Sequence, residues 1–415
     1  MSPTPRAAGL LALAALSALV LPVPLAVLIF LALAGAAVAD ARAVRRAPEL
    51  ERVAPGVLSR GVAADFRAAP SGAPTGRVRI RQPAPPDLLI APPEEDGAIE
   101  GEIRARRRGR HTLPPAAARL EGPLGLGRCT HRIGGDHAVL VYPDMPSAAR
   151  VVQAVRDGSL GEESRRTRGA LGLGTEFESV REYLPDDDVR QINWRATARL
   201  GRPMSNQYRV EQDRDMVCLV DAGRLMGAPI GERTRLDAAV DGAVTVALVA
   251  DEVGDHAGCL AFDDEVRVRL PPARAGGRAV VRALFDLEPS LADSDYELAF
   301  RTVGGAKRAW VLVLTDLLEE AAAGPLLEAV PVLARRHAVA VASVRDTDLE
   351  ALVSTPPVEP RDAYAAAMAV EVLSARERVA GQLRRAGAQV IEAPPGVLGA
   401  ACARAYLSAK GRALV

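Results

Sequence analysis

The sequence contains little of what most enzymes and nucleic-acid-binding proteins use. Its four cysteines are widely separated, so no pair has the spacing of a zinc knuckle or redox motif, and a reducing compartment suits them. Basic and acidic residues balance at 52 each, so no global field attracts nucleic acid. None of the five histidines lies in a recognisable catalytic motif, and there is no Walker lysine or nucleophile elbow. We therefore expect neither catalysis nor nucleic-acid binding.

A long uncharged run stands out at the N-terminus. No charged residue occurs from Ala7 to Ala39, and the Pro22-Val-Pro24 break divides this run into two halves of roughly 15 residues. This pattern predicts a transmembrane helical hairpin over residues 1–47. Arginines flank the run at both ends, which by the positive-inside rule favours cytoplasmic ends: Arg6, Arg42, Arg45 and Arg46. We therefore expect a cell-membrane protein with the bulk of its chain in the cytoplasm.

Two other interpretations of this run remain open. Ala37-Val38-Ala39 resembles the small-residue cleavage site of a secretory signal, although a signal core is about 7 to 15 residues long and is not interrupted by paired prolines. A single tilted span would place the C-terminal part outside the cell.

The middle of the chain changes to short alternating runs between proline and glycine clusters. Examples are Arg77–Arg81, Ile99–Ile103 and Ala138–Tyr142. Period-two alternation with frequent turns predicts a small β-sandwich-like domain over residues 48–150. Residues 151–210 are expected to be a linker followed by a charged segment. Within the linker, Gly169–Gly174 resembles a phosphate-binding loop, but it follows a polar stretch rather than a buried strand.

The segment 177–201 combines charges, turn formers and one of the two tryptophans. Pro185 and the acidic residues 186–188 predict a turn and a helix cap, with a helix beginning near Val189. Arg190, Trp194 and Ala198 would share one face of that helix. We expect Trp194 to anchor this face in a core.

This segment resembles the signature of a bacterial family called domain of unknown function 58. The family pattern runs Arg, Tyr, Pro-Gly-Asp, Arg, Ile-Asp-Trp and Ala-Arg. The matching positions are Arg181, Tyr183, Pro185, Asp187, Arg190, Ile192, Trp194, Ala198 and Arg199. Two positions depart from the pattern, because Asp186 replaces the usual Gly and Asn193 the usual Asp.

The resemblance implies an architecture and a cellular role. Such proteins have an N-terminal membrane hairpin, a β-rich middle and a von Willebrand factor A-like end. They are usually encoded beside MoxR-type AAA+ ATPases and transglutaminase-like membrane proteins, and are thought to help assemble or activate other complexes. No reaction is attached to the family. The signature charges would then form either a structural ion-pair cluster or a partner-docking surface.

From residue 211 to residue 415 apolar strands alternate with helices. Examples of the strands are Met216–Val220, Ala257–Phe262 and Trp310–Leu314. Continuous apolar strands between helices predict a mostly parallel, doubly wound sheet covered on both faces. This matches the Rossmann-type arrangement of the von Willebrand factor A-like domain that the resemblance implies.

In that fold, a divalent metal is bound by Asp-x-Ser-x-Ser after the first strand, a later Thr and an Asp after the fourth strand. Here Asp221 and Asp316 remain, Gly223 and Leu225 replace the two serines, and Ser294 or Asp295 would have to substitute for the Thr. We expect this degenerate site, Asp221, Asp316 and Asp295, to work without a cofactor, with magnesium as the alternative. Otherwise Asp221 would accept backbone hydrogen bonds in its own loop.

These observations favour a membrane-anchored interaction or assembly factor of unknown client. The expected partners are the membrane, a MoxR-type AAA+ ATPase and other membrane-associated proteins. The alternative is a divalent-metal-dependent extracytoplasmic adhesion module, which would require the exported topology.

Overall fold

The computed structural model describes residues 2–72, 76–160, 176–184, 187, 189–209, 214–303, 307–317 and 320–412. The chain divides into two compact units, Met1–Tyr142 and Pro143–Val415. Several sheets and eleven α-helices occur in the described residues, which confirms the mixed α/β prediction. Among the predictions, the Gly169–Gly174 linker and Pro185 lie outside the described residues.

Two apolar helices begin the first unit. Helix α1 covers Pro5–Leu16 and is extended by a 3-10 turn at Ser17–Leu19, and helix α2 covers Val23–Ala43. The two helices contact each other, and we call them the apolar helix pair. Pro22 and Pro24 lie at the start of α2, where a missing N–H is tolerated. Helix α2 is long and apolar enough to cross a bilayer by length and composition alone, with mean hydropathy 2.2.

The remainder of the first unit is β-structure. Its strands are β1 Ser2–Pro3, β2 Glu49–Val53, β3 Val57–Ser59, β4 Ala63–Ser71, β5 Arg77–Arg81, β6 Leu88–Ala91, β7 Glu94–Asp96, β8 Ile99–Ala105, β9 Gly109–Leu113, β10 Ala116–Glu121, β11 Gly127–Ile133 and β12 His137–Tyr142. They form sheets in the orders β1-β11-β10-β5-β7, β2-β4-β8-β6 and β3-β12-β9. Alternate residues such as Val78, Ile80 and Ile103 are buried in one shared core, as the alternating pattern requires.

The second unit begins with helix α3, Met145–Arg156, whose N-terminus is capped by the Asp144 carboxylate. The next described part is a small antiparallel element, residues 176–209, which we call the signature module. It comprises strand β13 Glu176–Glu182, a 3-10 turn at Val189–Gln191, helix α4 Trp194–Leu200 and strand β14 Met204–Arg209. Strands β13 and β14 pair with each other in a two-stranded sheet.

A six-stranded sheet forms the centre of the second unit. Its strands are β15 Asp215–Asp221, β18 His256–Phe262, β19 Val266–Ala273, β20 Ala309–Leu314, β21 Ala338–Val344 and β22 Gln389–Ala393, and β16 Pro229–Ile230 pairs separately with β17 Arg233–Thr234. The strand order is β19-β18-β15-β20-β21-β22. All neighbouring strands are parallel except β18 and β19.

Helices cover both faces of this sheet. The helices of this region are α5 Arg235–Glu252, α6 Gly277–Leu284, α7 Tyr296–Val303, α8 Glu320–Ala334, α9 Thr347–Ser354, α10 Pro360–Arg385 and α11 Leu398–Gly411, and α9, which buries no residue, contacts α10 rather than the sheet. Helices α7, α8 and α10 pack on one face around residues such as Leu219, Val311 and Val341. Helix α5 contacts β15, β18 and β20 and also packs against α11. Burial on both faces explains why the strands are continuously apolar.

Candidate functional site

The carboxyl ends of β15 and β20 lie side by side at the middle of the sheet. The strand order reverses between these two strands, because β18 and β19 extend to one side and β21 and β22 to the other. Such a reversal leaves a crevice where open α/β sheets bind ligands. Asp221 ends β15, whereas Thr315 and Asp316 follow β20, so two of the predicted residues meet at this switch point.

Asp221 is buried and accepts hydrogen bonds on both carboxylate oxygens. Its Oδ1 accepts from the Gly223 N–H at 2.8 Å and from the Ser294 hydroxyl. Its Oδ2 accepts from the hydroxyls of Tyr296 at 2.9 Å and Thr315 at 2.5 Å. Burial, followed by the charge of Asp221, raises the pKa of Tyr296 well above its ordinary value. The phenol therefore remains a donor at neutral pH.

In the predicted metal-binding pattern Gly223 takes the place of the first serine, and its surroundings leave no room for a side chain. A Cβ atom at residue 223 would overlap the Ser294 hydroxyl. Ser294 therefore occupies the space that a side chain at position 223 would fill, and supplies a hydroxyl to Asp221 from a different loop.

Two arginines bind Asp316. The Nη1 atoms of Arg235 and Arg376 each lie 3.1 Å from Asp316 Oδ1, which also accepts from the Leu317 N–H at 2.9 Å. All three charged side chains are almost completely buried. The pKa of Asp316 is raised because burial outweighs the two guanidinium groups that oppose it.

The two guanidiniums extend this network to neighbouring strand ends. Arg235 Nη2 donates to Asp346 Oδ2 at 2.7 Å, and Asp346 caps α9. Arg376 Nη2 donates to Ser343 Oγ at 3.0 Å and to the Val344 carbonyl at 2.7 Å. Arg376 also lies 3.7 Å from Glu392. The network therefore connects helices α5 and α10 to the ends of β20, β21 and β22.

The side chains at the switch point do not fit a divalent cation. Asp316 is already neutralised by two guanidiniums, and Leu225 offers no oxygen ligand at the second serine position. Asp295, the third predicted ligand, is exposed and accepts from the Leu298 N–H at 2.9 Å, at the start of α7. Within the described ranges no group of three acidic, histidine or cysteine side chains is placed to bind a metal.

The signature module is held by local hydrogen bonds. Arg181 Nη2 lies 2.5 Å from Asp187 Oδ1, and Asp187 Oδ2 accepts from the Leu184 N–H at 2.9 Å. The Tyr183 hydroxyl donates to the Asp187 carbonyl at 3.1 Å. The Leu184 N–H, and then Arg181, lower the pKa of Asp187. Three predicted signature residues, Arg181, Tyr183 and Asp187, are thus brought together in one turn.

The predicted continuous helix from Val189 is wrong. A 3-10 turn ends at Gln191, Ile192 bridges to Ser205, and the Asn193 N–H donates to the Met204 carbonyl at 2.8 Å. These contacts draw the chain onto β14, so the helix restarts only at Trp194. Asn193 caps α4 by accepting from the Ala196 N–H at 2.9 Å, and its Nδ2 donates to Asn206 Oδ1 at 2.7 Å. Asn193 therefore ties the helix to the strand.

The prediction that Trp194 lies in a core is also wrong. Its side chain is 69% exposed, because α4 packs chiefly onto β14 and no described element covers its outer face. Arg195, Ala198 and Arg199 are exposed on the same side of this short helix. We call Trp194, Arg195, Ala198 and Arg199 the signature face. The backbone of Arg190 lies in the 3-10 turn, but its side chain falls outside the described part of the structure.

Reasoning from the sequence missed the arginines of the switch point. Helix α10 buries Ala369, Val379 and Leu383, and Arg376 lies on the same stripe. An arginine at an apolar position of a helix was therefore a detectable signal. Arg235 carried no comparable signal, because it directly follows the cap of α5, where charged residues are common.

Comparison with known proteins identifies the family. The family model described as protein of unknown function DUF58 matches residues 179–390, which is just over half of the chain. No curated protein matches the chain. The matched region contains most of the signature module and the carboxyl ends of β15 and β20. The chain therefore belongs to the family of proteins of unknown function DUF58.

Proposed function

We propose that this chain is a membrane-anchored assembly factor that binds a protein partner and catalyses no reaction. The observation that carries this proposal is the exposed signature face, a tryptophan flanked by two arginines on a hydrogen-bonded module. The partner that the family resemblance suggests is an AAA+ ATPase of the MoxR type, together with other membrane-associated proteins.

The composition of the signature face supports protein binding. Tryptophan and arginine are the residues most enriched among those that dominate binding energy at protein interfaces. Trp194 exposes a large apolar ring to water, which favours its burial by a partner. The module beneath it is cross-linked through Asp187 and Asn193, so little ordering would be needed on binding.

The positive charge of this face indicates the chemistry of the partner. Within the described ranges, Arg195 and Arg199 have no ion-pair partner. A complementary surface would carry carboxylates around a pocket for the indole ring. We therefore propose an acidic protein surface as the binding partner of the signature face.

A second supporting observation concerns the switch point. The strand order, with β19 as the antiparallel edge, supports a von Willebrand factor A-like domain. Arg235 and Arg376 supply the positive charge that a cation would bring to Asp316. Any contact at this edge would accordingly be independent of divalent metal. The alternative of a metal-dependent adhesion module is disfavoured for the same reason.

The absence of catalysis is supported by the state of the possible nucleophiles. All four cysteines are buried. Burial raises the pKa of Cys259 and Cys402 to about 12, so neither is a thiolate at neutral pH. Among the described histidines, His256 contacts the Asp215 carboxylate and His337 accepts from the Ala309 N–H, and neither of these partners is a nucleophile that a base would activate.

Membrane anchoring is supported by how the apolar helix pair joins the first unit. Ser2 and Pro3 pair with β11 at one end, and Asp40 binds the Leu124–Gly127 turn at the other. Both ends are therefore bound to the same β-structure, which is what a segment that enters a membrane and returns to the same side requires. The flanking arginines favour the cytoplasmic side. A cleaved signal sequence, the other interpretation, would have no need for these contacts.

The proposal is tested by affinity capture of the tagged full chain from detergent-solubilised membranes. We expect the wild-type protein to retain an AAA+ ATPase, identified by mass spectrometry. The Trp194→Ala variant should retain at least tenfold less of this ATPase, which corresponds to a loss of about 1.4 kcal/mol or more in binding free energy. Because the side chain is exposed, the substitution should leave folding unchanged.

Tyr364→Ala is the matched control, since Tyr364 is an exposed aromatic residue on α10. It should retain the partner at the wild-type level. Consistent absence of an AAA+ ATPase from wild-type captures, or equal retention by Trp194→Ala, would contradict the proposal.

A further inference from the structure

The apolar helix pair is held on the β-structure of the first unit at both of its ends. The Asp40 carboxylate accepts from the N–H groups of Leu124 at 2.9 Å, Leu126 at 2.8 Å and Gly127 at 2.9 Å. At the other end, the Thr4 N–H donates to the Leu126 carbonyl at 2.9 Å. We call residues 122–127 the anchoring loop.

The last turns of α2 are packed against protein. Asp40, Ala41 and Val44 are buried, and a Cβ atom at Gly127 would overlap Ala41. Glycine at position 127 is what lets the helix approach β11 this closely. The C-terminal end of α2 therefore packs against protein and would not lie in the hydrocarbon of a bilayer.

The part of each helix that is free of protein contacts is shorter than the hydrocarbon core of a bilayer. The uncharged part of α2, from Val23 to Ala39, is about 25 Å long at about 1.5 Å per residue, and the first arm, from Ala7 to Leu19, is about 20 Å. The hydrocarbon core of a bilayer is about 30 Å thick. Helix α2 reaches that length only if Asp40 and Arg42 are included.

The turn between the helices has the composition of a buried segment. Leu19 and Val20 are more than 80% exposed, and there is no charged residue that would hold the turn at a second interface. The N–H groups of Val20 and Leu21 both donate to the Ser17 carbonyl, at 3.0 and 2.8 Å. Pro22 and Pro24 bring no N–H donor. Few donors are therefore left unpaired when this turn enters hydrocarbon.

The residues at the ends of the helix pair opposite the turn have charges that suit a membrane surface. Arg6, Arg42 and Arg45 lie beside the protein-bound ends of the helices. Their long side chains can reach anionic head groups, where each contributes about 1 kcal/mol. Charge at this end and none at the turn indicate a direction of insertion.

We propose that the apolar helix pair is a re-entrant membrane anchor. It enters the bilayer from one face, turns inside the hydrocarbon at residues 19–22 and returns to the same face without crossing. This inference rests on the proposed membrane anchoring and specifies its geometry.

The test measures the depth of the turn. Val20→Cys in the full chain is labelled with an environment-sensitive fluorophore and reconstituted in phosphatidylcholine–phosphatidylglycerol vesicles. The native cysteines are buried, so labelling is directed to the new thiol. Quenching lipids carry spin labels at the head group, at a shallow acyl carbon or at a deep acyl carbon. We expect the deep label to cause the greatest loss of fluorescence.

Two control positions calibrate the depth. Val38→Cys, near the protein-bound end of α2, should be quenched most by the head-group or shallow label, and Leu291→Cys, which is 95% exposed in the second unit, by none. Leu19→Cys replaces Val20→Cys if that variant does not fold.

The outcomes separate this inference from the proposed function. A turn quenched most by shallow labels, and modified by a membrane-impermeant maleimide from the opposite face of the membrane, would overturn the re-entrant geometry while leaving the anchor in place. Failure of the protein to bind vesicles, or recovery of mature protein beginning at Asp40, would overturn both.

Discussion

At the scale of single residues, Asp316 is the centre of the switch point. Its Oδ1 accepts three hydrogen bonds, whereas its Oδ2 has no partner in the described structure. A carboxylate buried in this way stays ionised at neutral pH only while opposite charges remain beside it, and losing them costs stability. We therefore expect the stability of this edge of the sheet to depend on Arg235 and Arg376.

Replacing Arg376 should destabilise the second unit strongly. Arg376→Met leaves the Asp316 and Glu392 charges less compensated, and we expect the free energy of unfolding to fall by about 3 to 5 kcal/mol. The measurement is denaturant unfolding of the detergent-solubilised chain, followed by tryptophan fluorescence, because Trp194 and Trp310 both belong to the second unit and Trp310 is buried in its sheet.

The control is Arg378→Met, on the exposed side of the same helix two residues further on. It should change the free energy of unfolding by about 0.5 kcal/mol or less. Similar losses for the two variants would show that the buried network is not what stabilises this region.

At the scale of elements, the signature module is a short helix clamped onto one strand. Helix α4 has only 7 residues, which is too short to be stable by itself. Its position depends on Asn193, which contacts the helix backbone and Asn206. The exposed signature face is thus presented by a module whose order comes from a few polar contacts.

Asn193→Ala should loosen this module. Loss of the helix cap costs about 1 kcal/mol, and loss of the bond to Asn206 adds to it, so amide protection within residues 194–209 should fall about 5- to 30-fold. Hydrogen exchange followed by mass spectrometry measures this directly. Peptides from β15 and β20 should keep their protection, and a uniform decrease across the second unit would argue against a local clamp.

Asn193→Asp provides the matched comparison. An aspartate can still cap α4, but it cannot donate to Asn206. Its loss of protection should be smaller than that of the alanine variant. An equal loss of protection in both variants would mean that the hydrogen bond to Asn206 alone holds α4 on β14.

At the scale of the whole molecule, the pH dependence of stability comes from groups whose pKa differs between the folded and unfolded chain. His337 is one such group. It is buried, and its Nδ1 lies 3.3 Å from the Ala309 N–H, which donates to it. Burial, and then Arg336 and Arg308, lower the pKa of His337 below its ordinary value of 6.5.

The second unit should therefore lose stability as the pH falls through about 6.5. Below that pH the unfolded chain binds a proton at His337 that the folded chain excludes, so the free energy of unfolding declines by at most about 1.4 kcal/mol per pH unit from this group. Denaturant unfolding between pH 7.5 and 5.5 measures the slope.

His337→Asn keeps a neutral hydrogen-bonding side chain and cannot be protonated in this range. Its slope should be shallower than that of the wild type. Identical slopes in the two proteins would mean that His337 is protonated equally in the folded and unfolded states.

Local periodicity was sufficient to predict the mixed α/β fold and many individual elements. Strands such as β5 and β20 and helices such as α7 follow from patterns of residues close together in the chain. The family signature was also recognisable in the sequence, because it lies in one continuous segment. These features depend on neighbours within about one element, which a sequence displays directly.

The start of helix α4 could not be predicted correctly from the same local patterns, which indicated a helix from Val189. Its residues have helical spacing, but a bridge from Ile192 to β14 interrupts it. The exposure of Trp194 has a similar cause, since burial depends on whether another element covers α4. A pattern of residue types indicates whether a side chain favours burial, but it does not show whether another element of the fold packs over that side chain.

The hydrogen-bond and ion-pair partners of the two aspartates at the switch point were decided by tertiary structure. Ser294 reaches Asp221 across 73 residues, and Arg376 reaches Asp316 across 60. The residues of each pair are too far apart in the sequence for a local pattern to connect them. Parallel strands bring their carboxyl ends together only after the intervening helices have packed. The sequence placed two aspartates at this edge, and the packing of helices α5 and α10 determined that arginines compensate their charge.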